Sequence, residues 1–403
     1  MITAITFIIV FGLIVFVHEL GHFLAAKFLG VGVKTFAFGF PPKLWSKKIG
    51  ETEYAINLIP FGGYVKLEGE YEETDEVDTI ISENKGIESK KPKSRKLFDQ
   101  RPLGLLLIFS AGVLMNILTA VVILWICFMV GFKPIELGQF SQKVYPGING
   151  SNGVKSSVEV KIDEVEKNTP AEKNGLQKND VIVKVDGKNV YFADEVVNII
   201  QGKVTDKGAK VDLVIKRDNG LLEKTLNTYK SNLKGANGKE YEVNRVGIVL
   251  ETTGKLKANP INAIKAAVIS VGNLTKFTIV GIGDFFGKIF TKLNLSENVV
   301  GPIGLVVTTG YFAHLGIGAI VQFAAILSLS VALFNILPIP ALDGGYVAFT
   351  VIEVAIRRKI SLKVKSIVNM VGFAALIALM VAVSFRDFIT FDVGQYILKL
   401  IGR

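Results

Sequence analysis

The chain has 403 residues, half of them hydrophobic, three histidines and a formal net charge of +10. A mean hydropathy of +0.43, with the apolar residues gathered into long runs, argues against a large soluble core and for membrane spans. A single cysteine, Cys127, excludes an intrachain disulfide. The Lys and Arg excess flanks apolar runs and forms no basic–aromatic patch, so it reads as topology and lipid contact, with no nucleic acid implied.

Ile2 to about Leu29 is apolar apart from His18, Glu19, His22 and Lys27. No basic segment precedes it and no small-residue cleavage site ends it, so it reads as a retained span rather than a leader. Residues 35–70 mix aromatic and β-branched side chains with Gly and Pro, which predicts short strands and turns. They are too apolar for a solvated loop and fit a hairpin that dips into the membrane under the shelter of protein. Residues 70–102 are densely charged and read as a flexible loop at the membrane surface. Leu103 to about Phe132 is a second span, carrying Asn116. Within the more polar stretch that follows, 155–230 reads as a compact α/β module, and the Lys-, Asn- and Gly-rich 230–245 as loop.

Residues 260–290 are apolar but hold Lys265, Asn273, Lys276, Asp284 and Lys288, the pattern of an amphipathic helix lying in the interface. A third span runs from about Leu315 to Pro338, and Met370 to Phe385 lies in a fourth. The fold class expected is therefore a multi-span α-helical membrane protein of about four transmembrane helices, with a membrane-associated β-hairpin and an extracytoplasmic α/β module. Three parts follow: 1–132, 150–232 and 255–403. The Lys- and Arg-rich segments 30–102 and 357–365 should be cytoplasmic. Both termini and the large 135–310 segment then lie outside, and a fifth span at 260–290 would break that parity.

His18-Glu19-Leu20-Gly21-His22 is a His-Glu-x-x-His motif. On a helix, residues four apart share one face, so both imidazoles can bind one zinc ion. Glu19 lies about 100° around the helix from His18 and can reach a water on that metal as general base. An ionisable pair inside a span costs several kcal/mol and marks a functional site. Catalytic zinc takes three protein ligands. His314 is one candidate for the third, but it falls near the outer end of its span. Asp343 follows Asn335-Ile-Leu-Pro-Ile-Pro-Ala-Leu at the cytoplasmic end of the third span, in the same leaflet as the two histidines. Pro338 and Pro340 break the helix there, and Gly344 and Gly345 allow a tight turn.

These paired motifs resemble the site-2 proteases, most closely the bacterial RseP/RasP-type regulators, over nearly the whole chain. The resemblance implies an intramembrane zinc metalloendopeptidase with His18, His22 and Asp343 on Zn2+ and Glu19 as catalytic acid/base. It implies that 52–70 is the family's membrane-associated hairpin, with Gly62 and Gly63 in the stretch beside which substrate extends. Asn116 and Asn335 match family asparagines that help to hold unwound substrate, although interhelical hydrogen bonding is the plainer reading of such residues. Implied partners are single-span membrane proteins, such as anti-sigma factors or signal-peptide remnants, and the lipid bilayer. Thr169-Pro-Ala-Glu-Lys-Asn-Gly175-Leu through Asp186-Gly187 resembles a bacterial protease PDZ domain, which implies binding of an extended peptide at a sheet edge. Two readings from other classes are a zinc-binding transporter and a non-catalytic PDZ scaffold; an intact Glu19 between the paired histidines argues against both.

Overall fold

The computed structural model describes residues 2–70, 95–137, 141–203, 209–218, 220–234, 240–292 and 300–390. Most of the expected charged surface loop, 71–94, lies outside the described residues. The longer helices are α1 (Ile2–Phe28), α2 (Pro102–Val130), α3 (Ala193–Gln201), α4 (Pro260–Lys292), α5 (Pro302–His314), α6 (Ile317–Asn335), α7 (Asp343–Ile356) and α8 (Leu362–Thr390). The strands are β1 (Val33–Ile49), β2 (Thr52–Leu67), β3 (Val154–Ser156), β4 (Glu159–Val165), β5 (Val181–Val185), β6 (Lys188–Asn189), β7 (Lys210–Arg217), β8 (Gly220–Asn227), β9 (Tyr229–Lys234), β10 (Glu240–Arg245), β11 (Ile248–Thr253) and β12 (Leu256–Ala258). Helices α1, α2, α4, α6 and α8 are each long and apolar enough to cross a membrane. The fifth of these beyond the expected four is α4, the stretch read from sequence as interfacial.

Two compact units divide the chain. The first comprises Met1–Ala120, Leu305–Ala313 and Phe323–Val383. Helix α1 stops where Gly30 adopts a φ of +70° and the Val31 N–H reaches back to Ala26 O at 2.9 Å, a left-handed glycine cap. The chain then enters β1 and β2, which are longer than the short strands expected. Gly and Pro bend these strands without ending them. Residues 33–38 pair with 63–67 on one side and with 53–56 on the other, and 43–49 pair with 52–57. The result is a curled four-ribbon sheet in the order 43–49, 52–57, 33–38, 63–67. Gly39, at φ +82°, turns the first ribbon where an added Cβ would meet Ile59 O at 2.6 Å. Phe16 of α1 meets Phe36 edge to face and Phe23 lies tilted against it, with ring centroids 5.6 and 5.0 Å apart, and both fix the sheet against the helix.

Between α6 and α7 the motif loop departs from the sequence reading in one detail. Gly344 and Gly345 are the second and third residues of α7 and do not have positive φ; the left-handed residue is Ala341, at +73°. The glycines serve close approach instead. A Cβ on Gly344 would lie 2.1 Å from Leu337 O, and one on Gly345 2.6 Å from Ile339 O. The Ala341 N–H is held by Asn369 Oδ1 of α8 at 3.1 Å. Lys365, nearly buried, pairs with Glu353 at 2.8 Å and lies 4.9 Å over the Phe98 ring, which ties the α7–α8 turn down.

The second unit comprises Val121–Gly304, His314–Gln322 and Ser384–Arg403. Its main sheet runs β11-β4-β5-β7-β8, with β6 on β5. Alternating Val160, Ile162, Ile182, Val211, Leu213 and Ile215 face Val196 and Ile200 of α3 in a closed core. Asp186 and Gly187, both at positive φ, form the expected turn between β5 and β6. The module reaches beyond residue 232, because β11 pairs with β4 along its length. Residues 230–245 are not simply loop: β9 and β10 form an antiparallel ladder from Tyr229↔Arg245 to Lys234↔Glu240. Polar residues populate both faces of that ribbon, so composition hid the strands.

The module has one strong polar anchor. Asp180, with its side chain 1% exposed, accepts from Arg217 Nε at 2.7 Å, from Arg217 Nη2 at 2.8 Å and from the Gln177 N–H at 2.8 Å. Burial raises the Asp180 pKa, but the Arg217 guanidinium and the Gln177 amide outweigh it, and the net shift is downward. Such a group stabilises the fold above the ordinary value of 3.8, and that stabilisation is lost as pH falls through its lower native value. Asp180→Ala should therefore destabilise the module by about 2 kcal/mol at pH 7, since Arg217 retains access to water. Hydrogen–deuterium exchange of the β5 and β7 amides in the full chain reads this directly, and the gap between variant and wild type should narrow below pH 3.8.

Candidate metal centre

The two imidazoles of α1 meet Asp343 in the interior of the first unit. His18 and His22 are 6% and 8% exposed. His18 Nε2 lies 2.9 Å from Asp343 Oδ2, and His22 Nε2 lies 3.2 Å from the same oxygen. The two Nε2 atoms are themselves 3.2 Å apart. Among the described residues, His18, His22 and Asp343 form a cluster able to offer three ligand atoms to one ion. His314, the rival third ligand from sequence, lies exposed at the end of α5 and is not part of this group.

The donor set fits zinc. Two neutral nitrogens and one carboxylate oxygen are the ligands of a common catalytic class. Bonds of about 2.0–2.1 Å to a tetrahedral ion place ligand atoms about 3.3 Å apart. The three separations here, 2.9 to 3.2 Å, need to open by only a few tenths of an ångström.

Helix α2 supplies the outer contacts. His22 Nδ1–H donates to Ile108 O at 2.8 Å, which leaves Nε2 free for a metal. Asn116, fully buried, places its carboxamide 3.3 Å from His18 Nδ1. Its backbone carbonyl is fixed by Ser328 Oγ of α6 at 2.9 Å. On the same turn of α1, the Glu19 carboxylate faces the Val65 backbone amide of β2. A Cβ on Gly63 would lie 3.2 Å from Glu19 Cγ, so this edge ribbon runs against the Glu19 side chain. Gly62 sits one residue away with φ +120°, under the Phe40 ring. Asn335 is half-buried at the last residue of α6.

Sequence reading missed two glycines on which this geometry depends. A Cβ on Gly21 would stand 2.4 Å from Ala111 O, so α1 and α2 touch backbone to backbone there. A Cβ on Gly112 would stand 2.4 Å from His22 Nε2 and 2.8 Å from His18 Nε2. The run Ser110-Ala111-Gly112 inside a span is the signal that could have found them, since small residues let apolar helices approach. Gly112→Ala should displace both imidazoles, strip zinc from the purified protein and lower cleavage by about 100-fold. Gly104→Ala on the same helix, where the nearest atom is 3.4 Å from the added Cβ, should leave zinc content unchanged.

Comparison with known proteins identifies the family. Residues 6–379 match the model of peptidase family M50. The chain is 31% identical over 382 residues to a Clostridium perfringens protein whose name places it provisionally among zinc metalloproteases, covering 95% of this chain and 97% of that one. It is 27% identical over 450 residues to the regulator of sigma-W protease RasP of Bacillus subtilis, covering 96% and 98%. A solved PDZ domain of an SdrC-like protein from Listeria monocytogenes covers 23% of this chain and 85% of its own at 20% identity, with a TM-score of 0.18, too slight a likeness to argue from. With the match spanning both the His-Glu-x-x-His helix and the Asp343 loop, the chain belongs to peptidase family M50, the site-2 proteases, and is an intramembrane zinc metalloprotease.

Proposed function

We propose that this chain hydrolyses peptide bonds of single-span membrane proteins at a zinc ion held by His18, His22 and Asp343. The observation that carries the assignment is the convergence of those three ligand atoms within 4.8 Å of one another inside an apolar unit. Zinc so held supplies Lewis-acid polarisation of the scissile carbonyl and makes water acidic enough to attack at neutral pH. Glu19 takes the proton from the attacking water and delivers it to the leaving amide nitrogen. Its carboxylate is oriented for this by the helix turn it shares with His18 and by the Val65 amide.

A substrate helix must unwind before its carbonyls are accessible. The outer edge of the 63–67 ribbon, beside Glu19, is suited to pair with the extended segment. Gly62 and Gly63 begin that edge, and Asn335 offers a carboxamide near the loop that carries Asp343. The second unit's PDZ-like module takes an extended peptide; support comes from β11, a strand at the end of the sheet path with one side paired to β4.

Four spans best suit the charge distribution, with the first unit's metal centre toward the cytoplasm and the module outside. Helix α4 then lies on the membrane. Lys276, exposed near its middle, would otherwise put an ammonium at the bilayer centre at a cost of about 3 kcal/mol. Asn273 Nδ2 also donates to Lys143 O at 2.7 Å, which fastens α4 to the polar part of its own unit.

Purified protein in detergent should cleave a model single-span substrate, and Glu19→Gln should lower the rate by about 10²–10⁴-fold while zinc content stays at the wild-type level. Undiminished cleavage by Glu19→Gln would refute the role of Glu19. Transport of zinc without cleavage would refute the protease assignment for this site.

A further inference from the structure

Beyond α2, within the second unit, the chain forms a strap, described at residues 132–137 and 141–145, that seats on the α/β module. One side of the strap is fastened by Gln322, which is buried. Gln322 Oε1 accepts from the Ile135 N–H at 3.2 Å and from the Tyr145 hydroxyl at 3.1 Å, and Nε2 donates to Lys133 O at 2.9 Å. The other side meets the first turn of α3. The buried Ser141 hydroxyl accepts the Leu137 N–H at 2.7 Å and donates to Asp194 Oδ2 at 2.9 Å. Gln142 Nε2 donates to Glu195 Oε2 at 2.8 Å. Thr252 of β11 donates to Glu136 and accepts the Ala193 N–H at 2.8 Å. The buried rings of Tyr145 and Phe192 lie 6.1 Å apart across the same junction.

Three carboxylates converge there: Glu136 from the strap, and Asp194 and Glu195 from α3. Glu195 Oε2 also accepts the Tyr191 and Phe192 amides, at 3.0 and 3.3 Å. Asp194 is served less well: Oδ2 has the Ser141 hydroxyl, but Oδ1 is buried without a hydrogen-bond partner. A carboxylate oxygen left bare beside two like charges favours the neutral acid. The cation at the base of the strap, Lys133, is taken up by Glu251 of β11 at 2.8 Å, and Lys143 is exposed. We propose that the strap is an acid-closed clasp, seated on the module while Asp194 is neutral and loosened when Asp194 ionises. Burial, reinforced by Glu136 and Glu195, outweighs the Ser141 hydroxyl and the Glu195 amide and lifts the Asp194 carboxyl to about 6 from its ordinary 3.8. The closed junction therefore holds the proton more tightly than the open one. Closure strengthens as pH falls through about 6 toward 3.8 and weakens as pH rises through the same window. The clasp is built from the second unit alone, so it stands apart from the zinc and protease assignments.

The test is hydrogen–deuterium exchange of the full chain in detergent at about pH 5 and about pH 7.5, each rate divided by the chemical exchange rate at that pH, for wild type, Asp194→Asn and Glu136→Gln. In wild type the corrected exchange of the Leu137 and Tyr145 amides should be about tenfold faster at the higher pH, the change expected of a carboxyl near 6 when closed and 3.8 when open. Asp194→Asn keeps an acceptor for Ser141 without a charge and should protect both amides equally at the two pH values. Glu136→Gln removes one like charge and should show a smaller difference than wild type. The β5 and β7 amides should not change over this range. Equal corrected exchange at both pH values in wild type, or a difference that persists in Asp194→Asn, would overturn the clasp. The same change in β5 and β7 would also overturn it, since the whole module would then be opening. If Asp194→Asn does not fold, Glu136→Gln decides: a difference as large as in wild type would overturn the proposal.

Discussion

The metal centre depends on the close approach of two apolar helices. At Gly21 the backbone of α1 lies directly against Ala111 of α2, and at Gly112 the imidazoles occupy the space that any side chain would fill. In hydrocarbon there is no water to satisfy a buried imidazole, so each polar atom must find a partner in the protein. The close contact provides those partners. It brings Ile108 O and the Asn116 carboxamide within reach of the two Nδ1 atoms. The Asp343 loop completes the set from a third direction, packed so tightly that Gly344 and Gly345 lie under its own carbonyls.

The same economy governs the elements around the site. The curled sheet of β1 and β2 presents its 63–67 edge to Glu19 because Gly63 has no side chain to hold it off. Asn369 of α8 holds the left-handed Ala341 two residues before Asp343, so this helix takes part in shaping the motif loop. In the second unit the stabilising logic is that of a soluble domain: an alternating apolar core, with one nearly buried carboxylate satisfied by a guanidinium fork and an amide.

Much of this was legible in the sequence, for physical reasons that differ by element. His18, Glu19 and His22 could be read because a spacing of four is a fixed geometric relation on any helix. Asp343 could be read because the prolines before it mark where a span breaks, and charge bias put that break in the leaflet of the histidines. Gly21 and Gly112 were not read, since a small residue in an apolar run carries no local signal of what approaches it. The sheet of β1 and β2 was read as short strands because Gly39, Pro41, Pro42 and Gly62 are ordinarily breakers; here they are bends within continuous ribbons. The ribbon of β9 and β10 was hidden by its Lys, Asn and Glu content, which belongs equally well to a loop. Asn116 was found as a polar residue in a span, but its contact with His18 Nδ1 depends on the rotation of α2, which hydrophobic patterning does not specify in a helix apolar all round.

The central claim is that His18, His22 and Asp343 hold one zinc ion. Zinc-edge X-ray absorption on the purified wild-type protein tests it most directly. The account predicts one zinc per chain, bound by nitrogen and oxygen at about 2.0–2.2 Å with imidazole backscattering and no sulfur, and a spectrum that changes when Asp343 is replaced by alanine. A sulfur shell at about 2.3 Å, or a spectrum indifferent to Asp343→Ala, would contradict it.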